Sequence, residues 1–152
     1  MPKEGSLAPA FKTTDANGKT VSLKDFRGEK VVLYFYPKDD TPGCTKEACS
    51  FRDAFSEYKK RGIRILGVSP DKEKAHQKFT EKYKLPFTLL VDSDHAIADA
   101  YDTWGEKKFM GRTYMGVKRT TFLIDEKGKI KKIFDKVKPD EHAREVLDAF
   151  NA

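Results

Sequence analysis

The sequence predicts an α/β fold: a mixed central sheet flanked by helices, with an N-terminal β-hairpin. Three observations carry this. Residues 31–36 form a continuous apolar run, the mark of a strand buried on both faces. The spacing turns helical soon after that run. Strand-like and helix-like stretches then alternate before two strand-like stretches and a last helix.

Phe11 to Thr14 and Thr20 to Ser22 flank Asp15, Ala16, Asn17 and Gly18, and the Asn-Gly pair marks the turn of the hairpin. Pro37 ends the apolar run. Cys44, Ala48, Phe51, Phe55 and Tyr58 then fall at i, i+4, i+7, i+11 and i+14, one stripe of a single helix that Gly62 stops. Residues 63–68 read as a second buried strand. Residues 71–83 read as a helix with Ala75, Phe79 and Tyr83 on one side. A third strand spans 88–91, opened by Pro86, and a short helix spans 96–101. Residues 120–124 and 129–134 form a hairpin around Asp125, Glu126, Lys127 and Gly128. Ala143, Val146, Leu147 and Phe150 stripe a last helix, with Pro139 near its first turn. Parallel crossovers followed by an antiparallel hairpin give the order of the thioredoxin fold, with additions at its start and middle. With no repeat or linker, residues 1–152 are expected to form one domain.

Composition narrows function. Charged residues are 36% of the chain, and 30 Lys and Arg stand against 24 Asp and Glu, a net charge of +6. Both signs are interleaved, as in Asp71, Lys72, Glu73 and Lys74, which reads as a solvated surface; no nucleic-acid partner is expected. The apolar run is far shorter than the ~20 residues of a membrane helix, so no membrane partner is expected either. Residues 1–10 carry no apolar signal region, and the expected location is the cytoplasm. Two cysteines in a reducing compartment point to catalysis or metal binding. Zinc needs about four clustered ligands, whereas His76, His95 and His142 are isolated; no metal is expected, and all three read as surface side chains.

Cys44 follows the 31–36 strand by a short loop and opens a helix. A helix N-terminus offers unpaired N–H groups and about half a positive charge, which favour thiolate over thiol. Loops at the carboxyl ends of parallel strands are also where α/β folds build sites. Position alone makes Cys44 the candidate nucleophile. Cys49 lies five residues on, a separation of ~8.6 Å between Cα atoms of an intact helix. A disulfide needs about 6.8 Å or less. The pair therefore bridges only if the start of the helix unwinds. Gly43 before the helix, and the polar Thr45, Lys46 and Glu47 in its first turn, are expected to make that unwinding cheap.

Pro37, Thr41 and Cys44 spell P-x-x-x-T-x-x-C, which closely resembles the active-site motif of peroxiredoxins. The second cysteine five residues later is similar to the peroxiredoxin Q type, also called bacterioferritin comigratory protein. The likeness runs from about Gly5 to Phe150 and includes Arg119, Thr120, Thr121 and Phe122. It implies a thiol peroxidase acting on hydrogen peroxide and organic hydroperoxides. Cys44 would be the peroxidatic cysteine and Cys49 the resolving one, joined in an intramolecular disulfide that thioredoxin or a similar dithiol reduces. Thr41 would hydrogen-bond the reacting atoms, Arg119 would stabilise the thiolate and the polarised O–O bond, and Pro37 would shield the pocket. No cofactor is implied, and a monomer is expected. Two competing readings are a thiol–disulfide oxidoreductase of the same fold and a basic binding module. The first normally carries C-x-x-C and a proline immediately before the strand that here begins at Thr120.

Overall fold

Residues 1–150 are described by a computed structural model. Strands β1 (Lys12–Thr14) and β2 (Thr20–Ser22) form the expected N-terminal hairpin. There follow β3 (Lys30–Phe35), α1 (Pro42–Asp53), α2 (Phe55–Lys60), β4 (Ile63–Ser69), α3 (Glu73–Tyr83), β5 (Thr88–Val91) and α4 (Ala96–Ala100). Next come β6 (Trp104–Phe109), β7 (Arg112–Val117), β8 (Thr120–Ile124), β9 (Ile130–Phe134) and α5 (His142–Phe150). The central sheet has the order β5-β4-β3-β8-β9. Strands β3, β4 and β5 run parallel, while β8 and β9 are antiparallel, so the sheet is mixed.

The apolar run behaves as its pattern demands. Residues 31–36 are each 1% exposed or less. Val32, Tyr34 and Tyr36 face a core shared with Cys44, Ala48 and Phe51 of α1 and Val146 and Leu147 of α5. Val31, Leu33 and Phe35 face the opposite core, with Ile97 and Ala98 of α4 and Tyr101. A strand with both faces covered has no reason to alternate.

Three details differ from the sequence reading. The helix expected from Cys44 to Tyr58 is two: Ala54 (φ −94°, ψ 3°) leaves helical geometry between α1 and α2. Helix α3 starts at Glu73 because Asp71 is taken up outside it, accepting hydrogen bonds from the Ser69 hydroxyl (2.7 Å) and the Asp39 amide (2.8 Å). The β6–β7 hairpin is an element the sequence reading missed. Its turn is Met110-Gly111, both with positive φ (51° and 78°), the two-residue geometry that suits the right-handed twist of paired strands.

Register places the site. Phe35 at the carboxyl end of β3 pairs with Thr120 at the start of β8. Arg119 thus lies beside the point where the chain leaves β3 for the 36–41 loop, and that loop feeds directly into α1.

Candidate active site

Thr41, extended at φ −98° and ψ 157°, is the N-cap of α1, and Pro42 occupies its first turn, where a missing N–H costs nothing. Gly43 and Cys44 are therefore the second and third residues of the helix. This corrects the expectation that Gly43 precedes it. The Cys44 side chain is 2% exposed. It receives a hydrogen bond from Arg119 Nη2 at 3.3 Å, so a fixed cation and the positive end of a helix converge on one sulfur.

Gly43 has a different role from the one its flexibility suggests. A Cβ at that position would stand 3.1 Å from Arg119 Nη2. The absent side chain is the room in which the guanidinium reaches the sulfur.

Arg119 is itself held. Its Nη1 donates to Glu47 Oε1 at 2.7 Å. Glu47 is fully buried, which overturns its reading as a polar residue easing the unwinding. One turn beyond Cys44, it lies on the same face of α1. Burial raises its carboxyl to about 7, and the charge and hydrogen bond of Arg119 oppose that rise without cancelling it. Among the described residues Oε2 makes no hydrogen bond, and His142 Nε2 stands 4.0 Å from it. Tyr34, whose hydroxyl is also unpartnered, is pushed well above the usual phenol range by burial and by Glu47.

The histidine expectation is corrected at two of three positions. His76 and His142 are fully buried; only His95 is partly exposed, stacked on Trp104. His142 contacts Thr121 Oγ1 (2.7 Å) and Glu145 Oε1 (2.8 Å), and burial drives it toward the neutral form. Isolation in sequence says nothing about burial when the neighbours come from another strand or helix.

The remaining expected site residues make no hydrogen bond to the Cys44 sulfur. The Thr41 hydroxyl donates to the Lys38 carbonyl at 2.8 Å. Pro37 is half-buried in the same loop. Cys49 is a free thiol, half-buried on the same unbroken helix as the free Cys44. Burial raises the Cys49 thiol, and the nearby Arg52 opposes this weakly. The sequence reading also missed Lys107. Its ammonium donates to the Val117 carbonyl at 2.8 Å and carries the β6–β7 hairpin to the site's edge. Burial and Arg119 lower it, while Cys44 pulls it the other way.

Comparison with known proteins gives the chain its family. The sequence model of the AhpC/TSA family matches residues 5–133. Peroxiredoxin Bcp of Bacillus subtilis is 50% identical over 143 residues, 94% of this chain and 91% of that protein. A PrxQ of Xylella fastidiosa, solved as a cysteine-to-serine mutant, superposes with a TM-score of 0.93 at 31% identity, covering 99% of this chain and 96% of that one. A Xanthomonas campestris bacterioferritin comigratory protein, solved in work on its alkyl peroxide reduction activity, superposes at 0.87 with 38% identity, covering 93% and 90%. An arginine shared between a buried cysteine and a buried carboxylate thus sits in a chain that belongs to the AhpC/TSA family, in its Bcp or peroxiredoxin Q branch.

Proposed function

We propose that this chain is a thiol peroxidase for hydrogen peroxide and organic hydroperoxides, with Cys44 as nucleophile and Cys49 as resolving thiol. The single observation that carries the reading is Arg119, which reaches the Cys44 sulfur and the Glu47 carboxyl at once. The thiolate attacks one peroxide oxygen, the O–O bond breaks, and Cys44 becomes a sulfenic acid as an alkoxide or hydroxide leaves and is protonated. Arg119 stabilises the negative charge as it passes from sulfur to the leaving oxygen. The Thr41 proton is engaged by the Lys38 carbonyl, so its oxygen is free to accept the peroxide O–H. Pro37 limits water access from the loop side.

Resolution follows. The Cys49 thiolate attacks the Cys44 sulfur, the disulfide forms, and the hydroxyl leaves as water. Both cysteines lie on intact α1, so this step requires residues 42–49 to unwind. Unwinding also brings Cys49 out of the surroundings that raise its thiol, toward ordinary ionisation. A thioredoxin-type dithiol then returns two electrons and two protons. An intrachain disulfide needs no partner copy, which supports a monomer, and the cytoplasm is its proposed location. No helix among the described residues is long and apolar enough to cross a membrane.

Intact mass after one equivalent of hydrogen peroxide tests the scheme. Wild type loses two hydrogens, Cys49→Ser gains one oxygen, and Cys44→Ser is unchanged. Peroxide consumption by Cys44→Ser removes the nucleophile assignment. Full turnover of Cys49→Ser with a thioredoxin-type reductant removes the resolving role.

A further inference from the structure

The loop that precedes Cys44 contains a buried pair that the proposed chemistry does not use. Asp39 is 8% exposed and His76, on α3, is fully buried. His76 Nδ1 meets Asp39 Oδ2 at 2.6 Å, and Nε2 meets the Leu90 carbonyl at 2.8 Å. A carbonyl only accepts, so Nε2 carries a proton; a second proton lies between Nδ1 and the carboxylate. The Tyr36 hydroxyl donates to Asp39 Oδ1 at 2.6 Å, and the Asp39 amide donates to Asp71 Oδ2 at 2.8 Å. Burial disfavours the imidazolium, but Asp39, the Leu90 carbonyl and Asp71 together outweigh it and raise the His76 pKa. Asp39, Asp71 and His76 lie close enough to hold a metal ion, yet both ring nitrogens already have protein partners.

The neighbouring Asp40 adds a second attachment. It holds a left-handed conformation (φ 58°), accepting from Lys82 Nζ and from the Tyr83 hydroxyl, each at 2.8 Å. His76, Lys82 and Tyr83 all belong to α3, Leu90 to β5, and Tyr36 directly follows β3. The side-chain bonds of Asp39 and Asp40 thus run to elements other than α1.

We infer that the Asp39–His76 pair is a positioning latch: it fixes the loop carrying Pro37 and Thr41 from outside α1, so the loop keeps its place while residues 42–49 unwind. The latch rests on the peroxidase reading above, and it makes the two chemical steps separable. Peroxide attack needs Thr41 held in register with Cys44. Disulfide formation needs only α1 to open. Loosening the latch therefore slows the first step and spares the second, whereas general destabilisation would move both.

Rapid-quench mass spectrometry with hydrogen peroxide, following sulfenic acid and disulfide separately, tests this. Asp39→Ala should slow Cys44 oxidation by roughly tenfold or more, since misplacement of about 1 Å is worth up to a hundredfold. Its disulfide step should stay within about twofold of wild type. Asp39→Asn keeps every side-chain bond, because the amide N–H₂ donates to Nδ1 of a neutral His76 and its oxygen accepts from Tyr36; it should oxidise within about threefold of wild type. Nitrogen-15 NMR of His76 should show two ring protons in wild type and one, on Nε2, in Asp39→Asn. If Asp39→Ala does not fold, Tyr36→Phe removes one of the bonds at constant shape and should slow oxidation alone. Wild-type oxidation in Asp39→Ala or Tyr36→Phe, or equal slowing of both steps, overturns the latch. Failure of wild type itself to be oxidised would instead remove the peroxidase reading.

Discussion

Opening of α1 should be linked to a proton, and Glu47 is the group that carries it. When residues 42–49 unwind, Glu47 leaves a fully buried site for water. Its carboxyl titrates at about 7 inside the protein, against 4.5 for an ordinary glutamate. Below the lower value both states hold the proton. Between the two values only the folded state holds it, so opening releases one proton; above about 7 neither state holds it. A raised folded pKa therefore stabilises closed α1 at low pH, and that stabilisation is lost as pH rises through the interval. Each pH unit there is worth about 1.4 kcal/mol, so opening becomes about 3 kcal/mol easier, a change of roughly a hundredfold in its equilibrium constant. The groups facing the carboxyl are Arg119, His142 and Tyr34, of which His142 is driven toward neutrality by burial. The assay is amide hydrogen exchange of residues 44–49, corrected for intrinsic rates, in the Cys44→Ser/Cys49→Ser protein. That background removes both thiols as competing titrations. Protection should fall by roughly two orders of magnitude between about pH 5 and 8, and Glu47→Gln should flatten the profile. An unchanged profile in Glu47→Gln, or protection that increases with pH, would refute the linkage.

Two further substitutions separate activation of the sulfur from stability. Arg119→Met should slow Cys44 oxidation by roughly a hundredfold or more. Its stability loss should grow with pH, because Glu47 can stay neutral in acid but not in base; equal melting losses at about pH 5 and 8 would contradict the buried pair. Gly43→Ala should move the two properties in opposite directions. The added methyl removes backbone freedom from the unfolded chain, which favours the helix, while the new Cβ, 3.1 Å from Arg119 Nη2, pushes the guanidinium a few tenths of an ångström off the sulfur and slows oxidation severalfold. Unimpaired peroxide reactivity in Gly43→Ala would show that the clearance is not used.

The fold was legible where burial follows local pattern. Residues 31–36 advertise a doubly covered strand, and the stripe from Cys44 to Phe51 advertises α1. The β6–β7 hairpin was not legible: Glu106, Lys107, Lys108 and Arg112 obscure the strand period, and Met110-Gly111 is a weaker turn signal than Asn-Gly. Cys44, Thr41 and Arg119 could be named because a local motif and a family resemblance converged on them. Glu47 was missed since a glutamate beside Lys46 looks solvated, and the arginine that justifies its burial is 72 residues away. A signal was nevertheless present. Cys44, Glu47, Ala48 and Phe51 fall at i, i+3, i+4 and i+7, so the glutamate sits on the buried stripe itself. His76 gave a similar hint, standing one turn before Phe79.

The extent of unwinding follows from what each turn of α1 contributes. Residues 42–49 bury two small apolar side chains, Cys44 and Ala48, each worth on the order of 1–2 kcal/mol. Their other tie is the Glu47–Arg119 pair. Removing two charges from water offsets much of what their attraction returns, so the pair holds the closed state only modestly. Just beyond, Phe51 is fully buried against Tyr34, Tyr58 and Phe87. Losing its contacts would cost about 3–5 kcal/mol. Ser50 Oγ also accepts the Ala143 amide of α5 (3.2 Å), and Arg52 Nη1 donates to the Tyr83 carbonyl of α3 (2.9 Å). The break therefore falls between Cys49 and Phe51: far enough to free both sulfurs, and short of the aromatic core that keeps the rest of α1 in place. Closed α1 thus favours attack on peroxide through Arg119, while the pair that holds the same guanidinium adds only modestly to closure, so the turn that carries Cys44 stays cheap to release.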